Sequence, residues 1–92
     1  MKAKDRCAAL ERVQRIRRDN VRLLISHYHS GGPRQDGRSR LAALLGVTAA
    51  YITHIAGPNP VRSIGEHFAR EVETTLNLPS MWLDMLHAPP AD

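Results

Sequence analysis

The 92-residue chain has a single cysteine, Cys7, which excludes an internal disulfide and, without neighbouring ligands, makes neither a zinc site nor a redox pair. Cys7 reads as a small apolar filler or an incidental surface thiol. No apolar run approaches the roughly 18–20 residues that a membrane span requires. The charged start, Lys2, Lys4, Asp5 and Arg6, lacks the apolar stretch and cleavage site of a secretory signal, so a soluble, cytoplasmic chain is expected. Strand-type alternation and internal repeats are missing too, which leaves helices as the building material. Signs of catalysis are equally scarce. Among the histidines His27, His29, His54, His67 and His87, the pair His27-x-His29 has no third ligand at a recognised spacing, and no glycine-rich phosphate loop follows a strand. Glu66, Glu71 and Glu73 read as solvated helix charge, with Glu66 favourable near a helix start. The sequence therefore predicts no enzyme, no metal, no cofactor and no small-molecule ligand.

What is present is positive charge, unevenly placed. Residues 1–40 hold eleven Lys/Arg against four Asp/Glu, a net +7, whereas residues 41–92 hold two against five, a net −3. A face of this kind suits an acidic polymer such as DNA, although solvated helix charge alone also produces it.

Ninety-two residues suit one domain with one core. Leu10, Val13, Ile16, Val21, Leu24, Ile25 and Tyr28 recur at intervals of three and four, with one interval of five, and predict a long amphipathic helix over about residues 6–28 with an arginine-rich opposite face. Ser30-Gly31-Gly32-Pro33 turns the chain, in a loop reaching about Gly37. A short helix with Leu41, Ala42, Leu44 and Leu45 stops at Gly46, and Thr48 caps the next, running to Ala56. Gly57-Pro58-Asn59-Pro60 interrupts again. Ile64, Phe68, Ala69, Val72 and Leu76 define a fourth helix, with Asn77 near its end and Pro79 as the stop. Ser80 caps a fifth, short helix carrying Met81, Trp82, Leu83, Met85 and Leu86. The expected fold is all-α with five helices.

Residues 38–57, RSRLAALLGVTAAYITHIAG, carry the functional signal. Ala42 is small where two helices approach, Gly46 supplies the turn, and Ile52 packs back, while Leu41, Leu45, Val47 and Ile55 complete the seam. That spacing is the helix-turn-helix pattern, which a generic hairpin does not require. With Ile52 and Ile55 inward, Ala49, Ala50, Thr53 and His54 fall on the outer face.

Three blocks, RRDNVRLLI at 17–25, LAALLGVTAAYITHI at 41–55 and SIGEHFAREVETTLNLPSMWLD at 63–84, resemble the phage repressor class of helix-turn-helix proteins, to which lambda repressor and Cro belong. The Leu-Pro-x-x-Trp-Leu-Asp ending is similar to that of one subgroup. The resemblance implies a lambda-repressor-like DNA-binding domain over residues 17–87; residues 1–16 lie outside it and read as a basic extension continuous with the first helix, and residues 88–92, with Pro89 and Pro90, as a tail or linker. It implies that the helix after Thr48 lies in the major groove of double-stranded DNA, with base reading at Ala49, Ala50 and His54. Ala49 and Ala50 offer methyl contacts to thymine, and Thr48, Thr53 and His54 the polar readout. Where the class often has glutamine, this chain has alanine, so part of the specificity is assigned to DNA shape. Arg38 stands where the class grips phosphate, with Arg40 to assist. Tyr51, Asn59 and Arg62 are further candidates for the DNA backbone.

A palindromic operator read by a homodimer follows from the same resemblance, and Met81, Trp82, Met85 and Leu86 are the candidate dimer surface; Trp82 can equally close the domain's own core. A transcriptional repressor of phage or prophage type is the leading expectation. The alternative is a protein-interaction module, such as an antitoxin or antirepressor, built on the same helices.

Overall fold

In the computed structural model, residues 2–29 and 37–87 are described, with side chains from Glu11 onward. The chain forms four α-helices, α1 (Lys2–Tyr28), α2 (Gly37–Leu45), α3 (Ala49–Ala56) and α4 (Glu66–Thr75), and a 3-10 turn at Trp82–Asp84; no strand occurs among the described residues. The turn expected at Ser30-Gly31-Gly32-Pro33 and the tail 88–92 lie outside the described residues, as do the side chains of Cys7 and Leu10.

The helices enclose one apolar core of Val21 and Leu24 from α1, Leu41 and Ala42 from α2, Ile52, Ile55 and Ala56 from α3, Ala69 and Val72 from α4, and Ile64 and Leu83 from the connections. α2 ends as its sequence dictates. Gly46 takes φ 72°, the Val47 amide bonds the Ala42 carbonyl at 2.9 Å and the Gly46 amide reaches Ala43 O, a left-handed termination that favours glycine. α4 ends in the same way at Asn77, φ 60°, where the Leu78 amide bonds Glu73 O at 2.8 Å.

Three expectations are corrected. The fifth helix is only a 3-10 turn, and Ser80 does not cap it: the residue before the turn is Met81 at φ 68°, and the Met81 and Leu83 amides go to the Glu73 carboxylate at 3.0 and 2.8 Å. Met85 is already extended, φ −100° and ψ 147°, so the element closes after three residues. Glu73 is thus not solvated charge but a buried acceptor, 4% exposed, that ties the C-terminal turn to α4. α4 begins at Glu66 rather than Ile64, because both backbone groups of Ile64 are taken by the Gln14 side chain, whose amide donates to Ile64 O at 2.8 Å and accepts from Ile64 N at 2.6 Å.

α1 differs in which face it buries. Val21 and Leu24 are in the core and Ile25 and Tyr28 pack on it, but toward the N-terminus the buried stripe continues through Asn20, Arg17 and Gln14, leaving Val13 and Ile16 half-buried. The five-residue interval between Ile16 and Val21 in the apolar pattern marks the place where the stripe changes character. Asn20 Nδ2 donates to Leu83 O at 2.9 Å and Met85 O at 2.6 Å. Arg17 makes a two-pronged bond to Asp84, Nε to Oδ1 at 2.8 Å and Nη2 to Oδ2 at 3.0 Å, and its Nη1 reaches Ile64 O at 2.8 Å. Arg70 joins from α4, 2.9 Å from Asp84 Oδ1 and 3.1 Å from Glu73 Oε2. The hydrogen bond and charge of Arg17 hold the Asp84 carboxyl below its ordinary value, outweighing the opposing effect of burial.

Candidate nucleic-acid interface

α2 and α3 are separated by the three residues Gly46, Val47 and Thr48 and bend by 108° relative to each other. Leu41, Ala42, Ile52 and Ile55 are all at most 3% exposed, so the seam between the two helices is closed. Thr48 accepts a hydrogen bond from the Tyr51 amide at 3.0 Å through Oγ1, anchoring the start of α3; its hydroxyl proton remains for an outside acceptor.

Along α3, Ala50 and His54 are exposed, and Ala49 and Thr53 are half-buried beside them. Arg38 Nη1 lies 3.4 Å from Thr53 Oγ1, so one proposed phosphate residue and one proposed base reader meet at the crossing of α2 and α3. Arg40 lies elsewhere on α2, lining a shallow hollow with Tyr28, Ala43 and Leu44. Tyr51 is half-buried, its ring edge-on to Phe68 at 5.4 Å between centroids, packed against the core. Asn59 and Arg62 are exposed in the connection after α3. That connection folds back on the helix: the Val61 and Arg62 amides both donate to His54 O, at 2.8 and 3.0 Å, which brings Arg62 alongside the outer end of α3.

Met81, Met85 and Leu86 are exposed at 44, 42 and 73%, forming an apolar patch on the C-terminal turn. Trp82 behaves differently. It packs against the core and its ring stacks on His87 at 4.1 Å.

Arg22 was not singled out by the sequence. Its Nε donates to Ala56 O at 2.9 Å and its Nη2 to Gly57 O at 2.9 Å, so a cation from α1 caps the negative end of α3. Nothing in the local sequence announces this contact, because its partner carbonyls lie more than thirty residues away; only the run of arginines on one side of α1 hinted at it. Arg22→Met is expected to cost about 1 kcal/mol in a denaturant melt, a modest value because the side chain is half-exposed.

Among the described residues no cluster of His, Cys, Asp or Glu is placed to hold a metal ion, and no single helix is long and apolar enough to cross a membrane. No family model, curated protein or solved structure matches the chain.

Proposed function

We propose that the chain is a sequence-specific double-stranded DNA-binding regulator of the phage repressor class, with α2 and α3 as its helix-turn-helix and α3 as the element that enters the major groove. The observation that carries this reading is the 108° bend across a three-residue, glycine-led turn, within the roughly 90–120° typical of the motif, combined with an outer face on α3 that offers Ala50 and His54 to a partner. The basic first half of the chain supports it, since phosphate contacts supply most non-specific affinity. Thr48, Ala49, Ala50, Thr53 and His54 read bases. Arg38, Arg40, Tyr51, Asn59 and Arg62 contact the backbone. A homodimer formed through the Met81, Met85 and Leu86 patch reads a palindromic operator.

Selection of bound sequences from a random duplex pool at two salt concentrations tests this. A palindromic motif with salt-sensitive binding is expected; no enrichment above background would sink the reading in favour of a protein-interaction module. Two variants then separate the roles. His54→Ala should relax preference at one base position with a loss of about 1–3 kcal/mol, whereas Arg38→Ala should weaken all sequences alike and lower the salt slope by about 1.

A further inference from the structure

Outside α2, the arginines whose side chains are described divide into two groups. Arg17, Arg22 and Arg70 are committed to carbonyls and carboxylates of the fold. The side chains of Arg12, Arg15, Arg18 and Arg62 make no hydrogen bond or ion pair with any described residue. Two of this second group, Arg15 and Arg18, line a hollow of about 330 Å³ on α1 together with Glu11 and Gln14. Helical spacing places Glu11, Arg15, Arg18 and Arg22 on one stripe of α1. That stripe runs beside the connection following α3, because Arg22 holds its start at Ala56 and Gly57 and Gln14 holds its end at Ile64. Arg18 sits one turn from each of these anchors. Its Nε is shielded from water and has no hydrogen-bond acceptor.

We infer that Arg15 and Arg18 form a second phosphate-binding site, which holds the sugar–phosphate backbone of DNA as it passes the connection between α3 and α4. This rests on the DNA-binding reading above and extends it to a helix that the helix-turn-helix does not include. Three features converge on an anionic oxygen ligand. The hollow holds two guanidiniums against the carboxylate of Glu11, and the other carboxylate beside the stripe, Asp19, lies 3.7 Å from Arg22, so the hollow keeps a net positive charge. A phosphate supplies the acceptor that Arg18 lacks, once its side chain turns outward. The neighbouring connection presents Arg62 and folds against the exposed end of α3, so a strand contacting that loop has the α1 stripe as its next basic surface. Gln14 is spent on Ile64 and serves to hold the loop against the stripe rather than to bind the ligand.

The test uses the operator duplex recovered from the random pool, titrated by fluorescence anisotropy across a salt series with the wild-type chain, Arg15→Gln/Arg18→Gln and Glu11→Gln. The double variant should lose about tenfold or more in affinity at moderate salt, with a salt slope shallower by about 2, while selecting the same sequence and melting at the wild-type temperature. Glu11→Gln should bind tighter than wild type. Wild-type affinity and slope in the double variant would overturn the site while leaving the helix-turn-helix reading intact. Failure of the wild-type chain to select or bind any duplex would overturn both.

Discussion

Asp84→Ala is expected to cost about 3–5 kcal/mol of folding stability, a large share of the roughly 5–15 kcal/mol that holds an ordinary domain folded. The reason is the charge left behind. Arg17 has a side chain only 9% exposed, and its two-pronged partner is Asp84, itself 17% exposed. Removing the carboxylate strands a guanidinium in a site where burial already opposes its charge. The hydrogen bond with Asp84 is the largest influence raising the Arg17 pKa, so the loss falls on both partners. Asp84→Asn keeps an acceptor oxygen and should cost less. Acid should reproduce part of the effect. Because the folded pKa of Asp84 lies below its ordinary value of 3.8, the unfolded chain binds the proton more readily, and the stability this group contributes is complete above that value. It is lost as the pH falls from about 4 through the lower folded value. Urea melts of wild type and Asp84→Asn between pH 7 and pH 2 check the sign: the wild-type advantage should shrink steadily in acid and be level above about pH 5.

Gly37→Ala should be the most damaging small substitution. Gly37 opens α2 and is buried against the last turns of α1, where a Cβ would run into the Ile25 carbonyl oxygen and come within 3.1 Å of the His29 amide nitrogen. Both obstacles are backbone, so no rotamer change relieves them, and the helices must part. A loss of about 3 kcal/mol in a denaturant melt is expected. Arg38 follows immediately, so under the proposed function the displacement should also reduce DNA affinity across all sequences. Wild-type stability in the alanine variant would refute the close approach of α1 and α2.

The two halves of the molecule differ in how far their sequence disclosed them. Gly46, with Leu41, Ala42, Ile52 and Ile55 at fixed offsets, was enough to place α2, its left-handed stop and α3, because each of those residues acts on neighbours within a dozen positions. Asn77 was likewise legible as a helix end. Gln14, Arg17, Asn20, Arg22 and Glu73 were not, since an apolar-periodicity reading assigns polar side chains to solvent. The partners that bury Gln14, Arg17, Asn20 and Arg22 stand 34 to 67 residues away, and those of Glu73 are backbone amides across a turn, which local spacing of side chains does not indicate. Gly37 was read as part of a loop for the same reason: what demands glycine there is the C-terminal end of α1, not the adjacent chain. At the candidate interface, the outer face of α3 follows from its inner face, whereas the setting of Arg15 and Arg18 depends on the loop that Gln14 and Arg22 hold beside them.

The clasp of Arg17 and Asn20 on the C-terminal turn also bears on the order in which the chain assembles. It joins residues 67 and up to 65 positions apart, so forming it early would mean closing a long loop before any gain is realised. The α2–α3 pair needs only a three-residue turn and is reached first on entropic grounds. A nascent chain can therefore pair α2 with α3 before it has the bonds that fix that pair to the first helix, and the turn at residues 83–85 supplies those bonds afterwards.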